Sequence, residues 1–353
     1  MNHSFLTTIP MFANFIMFAI FSALVWISGT RLTLLADTIS DRLRIGKAVM
    51  GLVFLAASTE LPELVTTIVA AMEGNSSLVL NNMFGGIVMQ TAILGVADAT
   101  VIGATLTYYP RKPTPALEGV FLILMLSLLL AVRSVGDLNV GWNIGLGSLL
   151  LSIAYFVILG VLRKYDSTSH WRPVEVSEDL PIFLGARSTI EVLDKFSLRR
   201  LYVHAGIAIS CILFGGIGMI FLAETLAVQT GLGSSFIGVT LLAGATSLPE
   251  LSTTLSAVRI GAFTMAISNI LGSNLIMVAL LLPADLFYRE GPLLSEPNHS
   301  ADFALIAGIV VTSIYVVGLL MRHKRRLFGL GVDSLIVLFL YAISLIVFYG
   351  LRE

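Results

Sequence analysis

The sequence predicts an all-α membrane protein of ten transmembrane helices in two inverted five-helix repeats. Three observations predict it. The chain of 353 residues is 56% hydrophobic and 12% charged, with mean hydropathy +0.93, which is too apolar for a soluble domain of this size. Segment 46–98 returns without a gap, 187 residues later, as 233–285, with 19 of 53 positions identical. The basic residues fall almost entirely into alternate loops.

Apolar runs long enough to cross a hydrocarbon core of roughly 30 Å lie at 11–29, 46–72, 78–102, 115–132, 140–162, 201–229, 236–260, 263–287, 301–321 and 330–351. The first run is followed at once by another and lacks a basic leader or small-residue cleavage site, so it reads as a retained helix. The fourth and fifth runs complete a first repeat over 11–162, and the last five form a second over 201–351. Gly29, Leu35, Ala36 and Thr38 match Gly216, Leu222, Ala223 and Thr225 in the same register, which extends the repeat backwards. Because each unit has an odd number of helices, the second enters the membrane from the opposite side. Between them, residues 163–200 form a polar linker too short and too poor in apolar pattern for a globular domain. Within it, 183–194 reads as a solvated loop in preference to a surface amphipathic helix.

When the loops are numbered alternately, 18 of the 21 Lys and Arg residues fall on one side, leaving Arg133, Arg289 and Arg352 on the other. The positive-inside rule then places both termini outside and the 163–200 loop in the cytoplasm of an integral plasma membrane protein, the inner membrane of a bacterium. The lone Cys211 excludes an intramolecular disulfide and a structural Cys metal site. Basic Arg322–Arg326 reads as an anchor to anionic lipid and not as a nucleic-acid site. The tripeptides beginning at Asn75 and Asn298 match the glycosylation pattern, which also arises by chance.

The chemistry sits in the duplicated core, Thr59-Glu60-Leu61-Pro62-Glu63 and Thr246-Ser247-Leu248-Pro249-Glu250. Glu63 and Glu250 lie mid-span, where an ionised carboxylate costs about 2.5–3.5 kcal/mol. No Lys or Arg occupies the interior of either motif helix or of the helix that follows, which favours cation binding over an internal ion pair. Pro62 and Pro249 lack an N–H and free the carbonyls of Ser58 and Ala245. Thr59, Thr246, Thr66 and Thr253 add hydroxyls on neighbouring faces, although a membrane Thr often bonds back to its own helix. Asp98 and Asp285 end equivalent helices and are expected near the cytoplasmic face, solvated.

With Asn82-Met83-Phe84-Gly85-Gly86 and Asn269-Ile270-Leu271-Gly272-Ser273-Asn274 on the following helices, the chain resembles the cation/calcium exchanger superfamily as a divergent member. Sodium/calcium exchangers of that superfamily carry two inverted repeats of the form Gly-Thr-Ser-Leu-Pro-Glu and Gly-Ser-Asn-Ile-x-Asn/Asp. The resemblance implies a sodium/calcium exchanger-like fold and one central site. In that site Glu63 and Glu250 are shared ligands, Ala56 and Ala243 offer carbonyls, and Thr59, Thr246, Ser247 and Ser273 add oxygens. The chain departs from the pattern at Glu60 and Gly86, where the family has Ser, and at Gln90 and Met277, which occupy the last Asn/Asp positions. A carboxylate is thus absent from the second repeat and a new one, Glu60, stands in the first.

The expected function is secondary antiport, with Ca²⁺ exported in exchange for Na⁺ or H⁺ by alternating access, and no enzymatic activity. No cofactor is called for, since the cations are substrates, and the partners are inorganic cations and the lipid bilayer, with oligomeric state left open. Alternatives are another cation, monovalent with H⁺ or Mn²⁺, or an uncoupled channel or membrane sensor.

Overall fold

A computed structural model describes residues 9–168, 191–230 and 236–350, with backbone alone for 236–243 and 349. Helices occupy the predicted segments: α1 (Met11–Leu43), α2 in two pieces (Lys47–Thr59 and Leu61–Met72), α3 (Ser76–Asp98), α4 (Thr114–Val135), α5 (Leu146–Thr168), α6 (Leu198–Gln229), α7 (Phe236–Arg259), α8 (Phe263–Phe287), α9 (His299–Met321) and α10 (Val332–Gly350). Seven of them are long and apolar enough to span a bilayer, and the bent pair of α2 makes an eighth. Helix α7 is less apolar, since seven Ser and Thr residues and Glu250 dilute its sequence. Helix α10 is shorter.

The two motif helices differ. In α2 a π-helical turn, Met50–Leu55, precedes Ala56–Thr59, and the chain bends by 47° at Glu60. The break comes before Pro62, which occupies the first turn of the new segment, where its missing N–H costs nothing. Helix α7 keeps Pro249 inside one continuous helix, so the matching prolines do not produce matching breaks.

Each repeat begins with a long helix that packs over the motif helix of the other repeat. A Cβ on Gly29 of α1 would stand 2.0 Å from Ser252 Oγ of α7, and one on Gly216 of α6 would stand 2.7 Å from Pro62 Cγ of α2. Only the absence of a side chain permits either approach. Thr33 Oγ1 of α1 donates to the Thr253 carbonyl at 3.2 Å, and α1 and α6 also pack on each other through Val25 and Gly215.

Asp98 and Asp285 are both fully buried, contrary to the expectation of solvated ends. Asp98 accepts the N–H groups of Leu106 (2.5 Å) and Gly331 (2.6 Å), and Asp285 those of Leu293 (2.7 Å) and Gly145 (2.6 Å), with Ser148 Oγ added. Leu106 precedes the N-terminus of α4 and Gly145 follows its C-terminus. The two aspartates therefore lie at opposite ends of a helix of 22 residues, about 33 Å long, and not at one face. Matching features at opposite ends are what inverted repeats produce.

Connections explain other expectations. Predicted span 140–162 starts late, because residues 139–145 form a hairpin with an Asn139–Gly145 bridge, and Gly141, Trp142 and Asn143 take positive φ. Its counterpart before α10 pairs Arg326–Leu327 (β1) with Leu330–Gly331 (β2). Both glycosylation-like tripeptides are helix caps: Asn75 accepts from Leu78 N–H at 2.9 Å and Asn298 from Ala301 N–H at 2.8 Å. The end of α1 is tied to the linker through Arg42, whose guanidinium donates to the carbonyls of Leu193, Asp194 and Phe196. Most of the linker, including 183–190 of the amphipathic stretch, lies outside the described residues.

Candidate cation site

Helices α2, α3, α7 and α8 bring the predicted side chains together in the interior. Close packing fixes their spacing: a Cβ on Gly51 would lie 2.5 Å from the Met265 carbonyl, and one on Gly272 would lie 2.7 Å from Leu52 Cα and its carbonyl oxygen. The polar turn after the π segment is thereby pressed against the Ser273 turn of α8.

Glu60, Glu63 and Glu250 are 2%, 2% and 0% exposed, and no Lys or Arg pairs with them among the described residues. They lie within electrostatic reach of one another. Gln90 Nε2 donates to Glu60 Oε1 at 2.8 Å. Ser273 faces Glu60 and Thr59 faces Glu250, without closing hydrogen bonds. Among the described residues, Glu60 Oε2, both oxygens of Glu63 and of Glu250, Gln90 Oε1 and Ser273 Oγ are buried and unpartnered. Buried polar atoms are ordinarily paired, and those left over in a native fold call for an ion or water.

No three Asp, Glu, His or Cys side chains close directly on one point among the described residues. Neutral oxygens of Gln90 and Ser273 lie beside Glu60, and that of Thr59 beside Glu250, and hard cations take several such oxygen ligands together with carboxylates. Glu60 is buried beside these groups and accepts from Gln90.

The other predicted ligands divide. The Ala56 carbonyl already accepts Glu60 N–H at 3.0 Å and Thr59 Oγ1 at 3.2 Å. Ser247 Oγ donates to Met89 Sδ at 3.5 Å, which leaves its lone pairs available. Thr246 is buried on α7, and Ala243 lies on the same helix with only its backbone described. Thr66 and Thr253 bond back to Pro62 and Glu63, and to Pro249 and Glu250, and thus behave as ordinary helix threonines. Met277 turns its methyl onto Gly86, 2.6 Å from where a Cβ there would stand. The missing carboxylate of α8 and the missing hydroxyl of α3 are thus one packed apolar contact.

Sequence reasoning passed over Asn274, whose Nδ2 donates to Thr91 Oγ1 at 3.0 Å and whose Oδ1 is unpartnered. Its place directly after Ser273 was the available signal. Asn269 likewise donates to Thr253 and Thr254, at 3.0 and 3.2 Å, bracing α8 on α7.

The profile of a family named sodium/calcium exchanger protein matches residues 13–161 and 201–350, both repeats of the chain. The chain belongs to the sodium/calcium exchanger protein family. A putative antiporter, CaxA of Alkalimonas amylolytica, is 25% identical over 305 residues, covering 86% of this chain and 89% of that protein. The sodium/calcium exchanger MaX1 of Methanosarcina acetivorans is 25% identical over 311 residues, covering 80% and 84%. The fold matches the solved sodium-calcium exchanger NCX_Mj with TM-score 0.68 at 18% identity, over 95% of this chain and 98% of that one. Membership in this family makes the chain an integral membrane protein of the exchanger type, and the all-helical fold follows the same pattern.

Proposed function

We propose that the chain is a secondary antiporter that exports Ca²⁺ in exchange for Na⁺ or H⁺ by alternating access between its two repeats. The observation that carries this reading is the set of seven buried, unpartnered oxygens on Glu60, Glu63, Gln90, Glu250 and Ser273. Ca²⁺ takes about 6–8 oxygens, and carboxylates satisfy it. Na⁺ and H⁺ compete for the same atoms, so occupancy by one excludes the other. With the site vacant, three acids in apolar surroundings oppose the conformational change, and that penalty couples the two fluxes.

The test is flux in proteoliposomes across Ca²⁺, Mn²⁺, Na⁺, K⁺ and pH gradients. Ca²⁺ movement that needs Na⁺ or H⁺ on the opposite side supports the proposal, and Ca²⁺ movement with no trans ion makes the protein a channel. A second reading, antiport of a monovalent cation with H⁺ or of Mn²⁺, draws on Glu60 and Met277, the two places where the charge of the site departs from the family pattern. The same gradients distinguish it.

The membrane is the plasma membrane, the inner one in a bacterium, with both termini outside and the 163–200 loop in the cytoplasm. The support is the distribution of Lys and Arg. A thiol introduced by Asp179→Cys is expected to resist an impermeant label in intact cells, and its labelling from outside would reverse the orientation.

A further inference from the structure

The two hairpins that precede α5 and α10 carry features no part of the transport site uses. The first places Trp142 at its tip, 90% exposed and at φ 54°, among exposed Val135, Leu138 and Val140. The second places Phe328 at its tip, also 90% exposed and at φ 52°, beside exposed Leu327. A non-glycine aromatic in the left-handed region is uncommon, and here it occurs at corresponding places of two related hairpins. Each joins two apolar helices, so each tip stands at a boundary of the bilayer, and the Asp98 and Asp285 contacts put the two at opposite boundaries.

Each hairpin is also rigidly seated. Gly145 N–H donates to Asp285 at 2.6 Å, and Asn143 Nδ2 donates to the Arg289 carbonyl at 2.8 Å. Gly331 N–H donates to Asp98 at 2.6 Å, and the Arg326 guanidinium donates to the carbonyls of Asp98 and Val101 at 2.6 and 2.5 Å. The tips are therefore held outward by the fold. Their surroundings differ in charge: exposed His323, Lys324 and Arg325 precede Phe328, with Lys324 over the Tyr108 ring at 5.0 Å, whereas the Trp142 hairpin contains no basic residue.

We propose that the two tips are a pseudo-symmetric pair of bilayer anchors, Trp142 seated among phospholipid headgroups at one face and Phe328 among anionic phospholipids at the other. Aromatic rings favour the headgroup level, where one side is apolar and the other wet. Basic side chains next to such a ring add attraction to anionic lipid. The seating bonds run to Asp285 and Asp98, the ends of the site-bearing helices α8 and α3, so the anchors fix the level of those helices in the membrane.

The full-length protein in phosphatidylcholine vesicles, with and without phosphatidylglycerol, tests this. The emission lost on Trp142→Phe isolates Trp142. It is expected to be strongly quenched by lipids brominated near the headgroup and weakly by bromine at the chain ends. Phe328→Trp in the Trp142→Phe background reports the other tip, and its quenching is expected to rise with phosphatidylglycerol and to lose part of that dependence on Arg325→Gln. Water-like emission from both tips, insensitive to bromine at every depth, overturns the proposal, as does burial of the tips in a second copy, seen as quenching insensitive to lipid but dependent on protein dilution. Equal quenching of the Phe328→Trp reporter in both lipids overturns the anionic preference.

Discussion

The methyl of Met277 occupies the space in which a side chain on Gly86 would begin, 2.6 Å from that position. These residues replace a carboxyl or amide side chain and a hydroxyl of the family pattern, and each substitution accommodates the other. Gly86→Ser is expected to lower thermal stability in detergent by about 1–3 kcal/mol, the usual cost of overpacking, and towards the lower end because a methionine tip yields. Met277→Ala in the same chain is expected to remove most of that cost, a non-additivity readable in a double-mutant cycle. Additive losses would show that the contact does not constrain either residue.

Glu63→Gln and Glu250→Gln are each expected to abolish coupled flux while leaving the protein folded and inserted. Both acids are buried with both oxygens unpartnered, so neither holds the fold together, and the neutral amide removes the charge a cation needs. Undiminished flux in either variant at matched protein levels would sink the shared site.

Glu60→Ser is expected to weaken divalent binding, because it removes one of three carboxylates from a poorly hydrated site and releases Gln90. Met277→Asp in that background restores part of the affinity by returning the charge from the opposite repeat. The reading is competition of Ca²⁺ against Na⁺ and pH, and unchanged affinity, selectivity and pH response would assign Glu60 to the scaffold alone.

Asp98→Asn and Asp285→Asn are expected to destabilise the fold by about 1–3 kcal/mol each, the cost of leaving a buried donor without its acceptor. Each carboxylate serves two backbone N–H groups with its two oxygens, and an amide offers only one. Thermal unfolding in detergent measures the loss, and wild-type stability in both variants would mean the clips carry no energy.

The repeat, the paired glutamates and the glycines that allow close packing were legible because duplication marks them twice. Inversion was legible from the odd number of helices, and the clips at opposite ends of α4 bear it out. The course of α2 was not. A π turn and a bend at Glu60 depend on what presses against Gly51 from α8, a tertiary contact with no local signature. The same limit hid the fate of Thr66 and Thr253, since a hydroxyl facing a site and one bonded to its own helix share the same sequence. The opposite faces of Asp98 and Asp285 already follow from the inversion, whereas their burial was hidden because their partners, Gly331 and Gly145, lie 233 and 140 positions away.

That separation sets a clock on assembly. During synthesis at roughly 5–20 residues per second, the acceptor at Asp98 precedes its Gly331 donor by about 10–50 s. Over that interval the first half sits in the membrane with one arm of a buried carboxylate unanswered, and only the hairpin before the last helix closes it. The Asp285 clip finds its Gly145 donor already made. The halves are alike in space and unlike in time, and the fold around Asp98 is complete only when the hairpin before the last helix has been made.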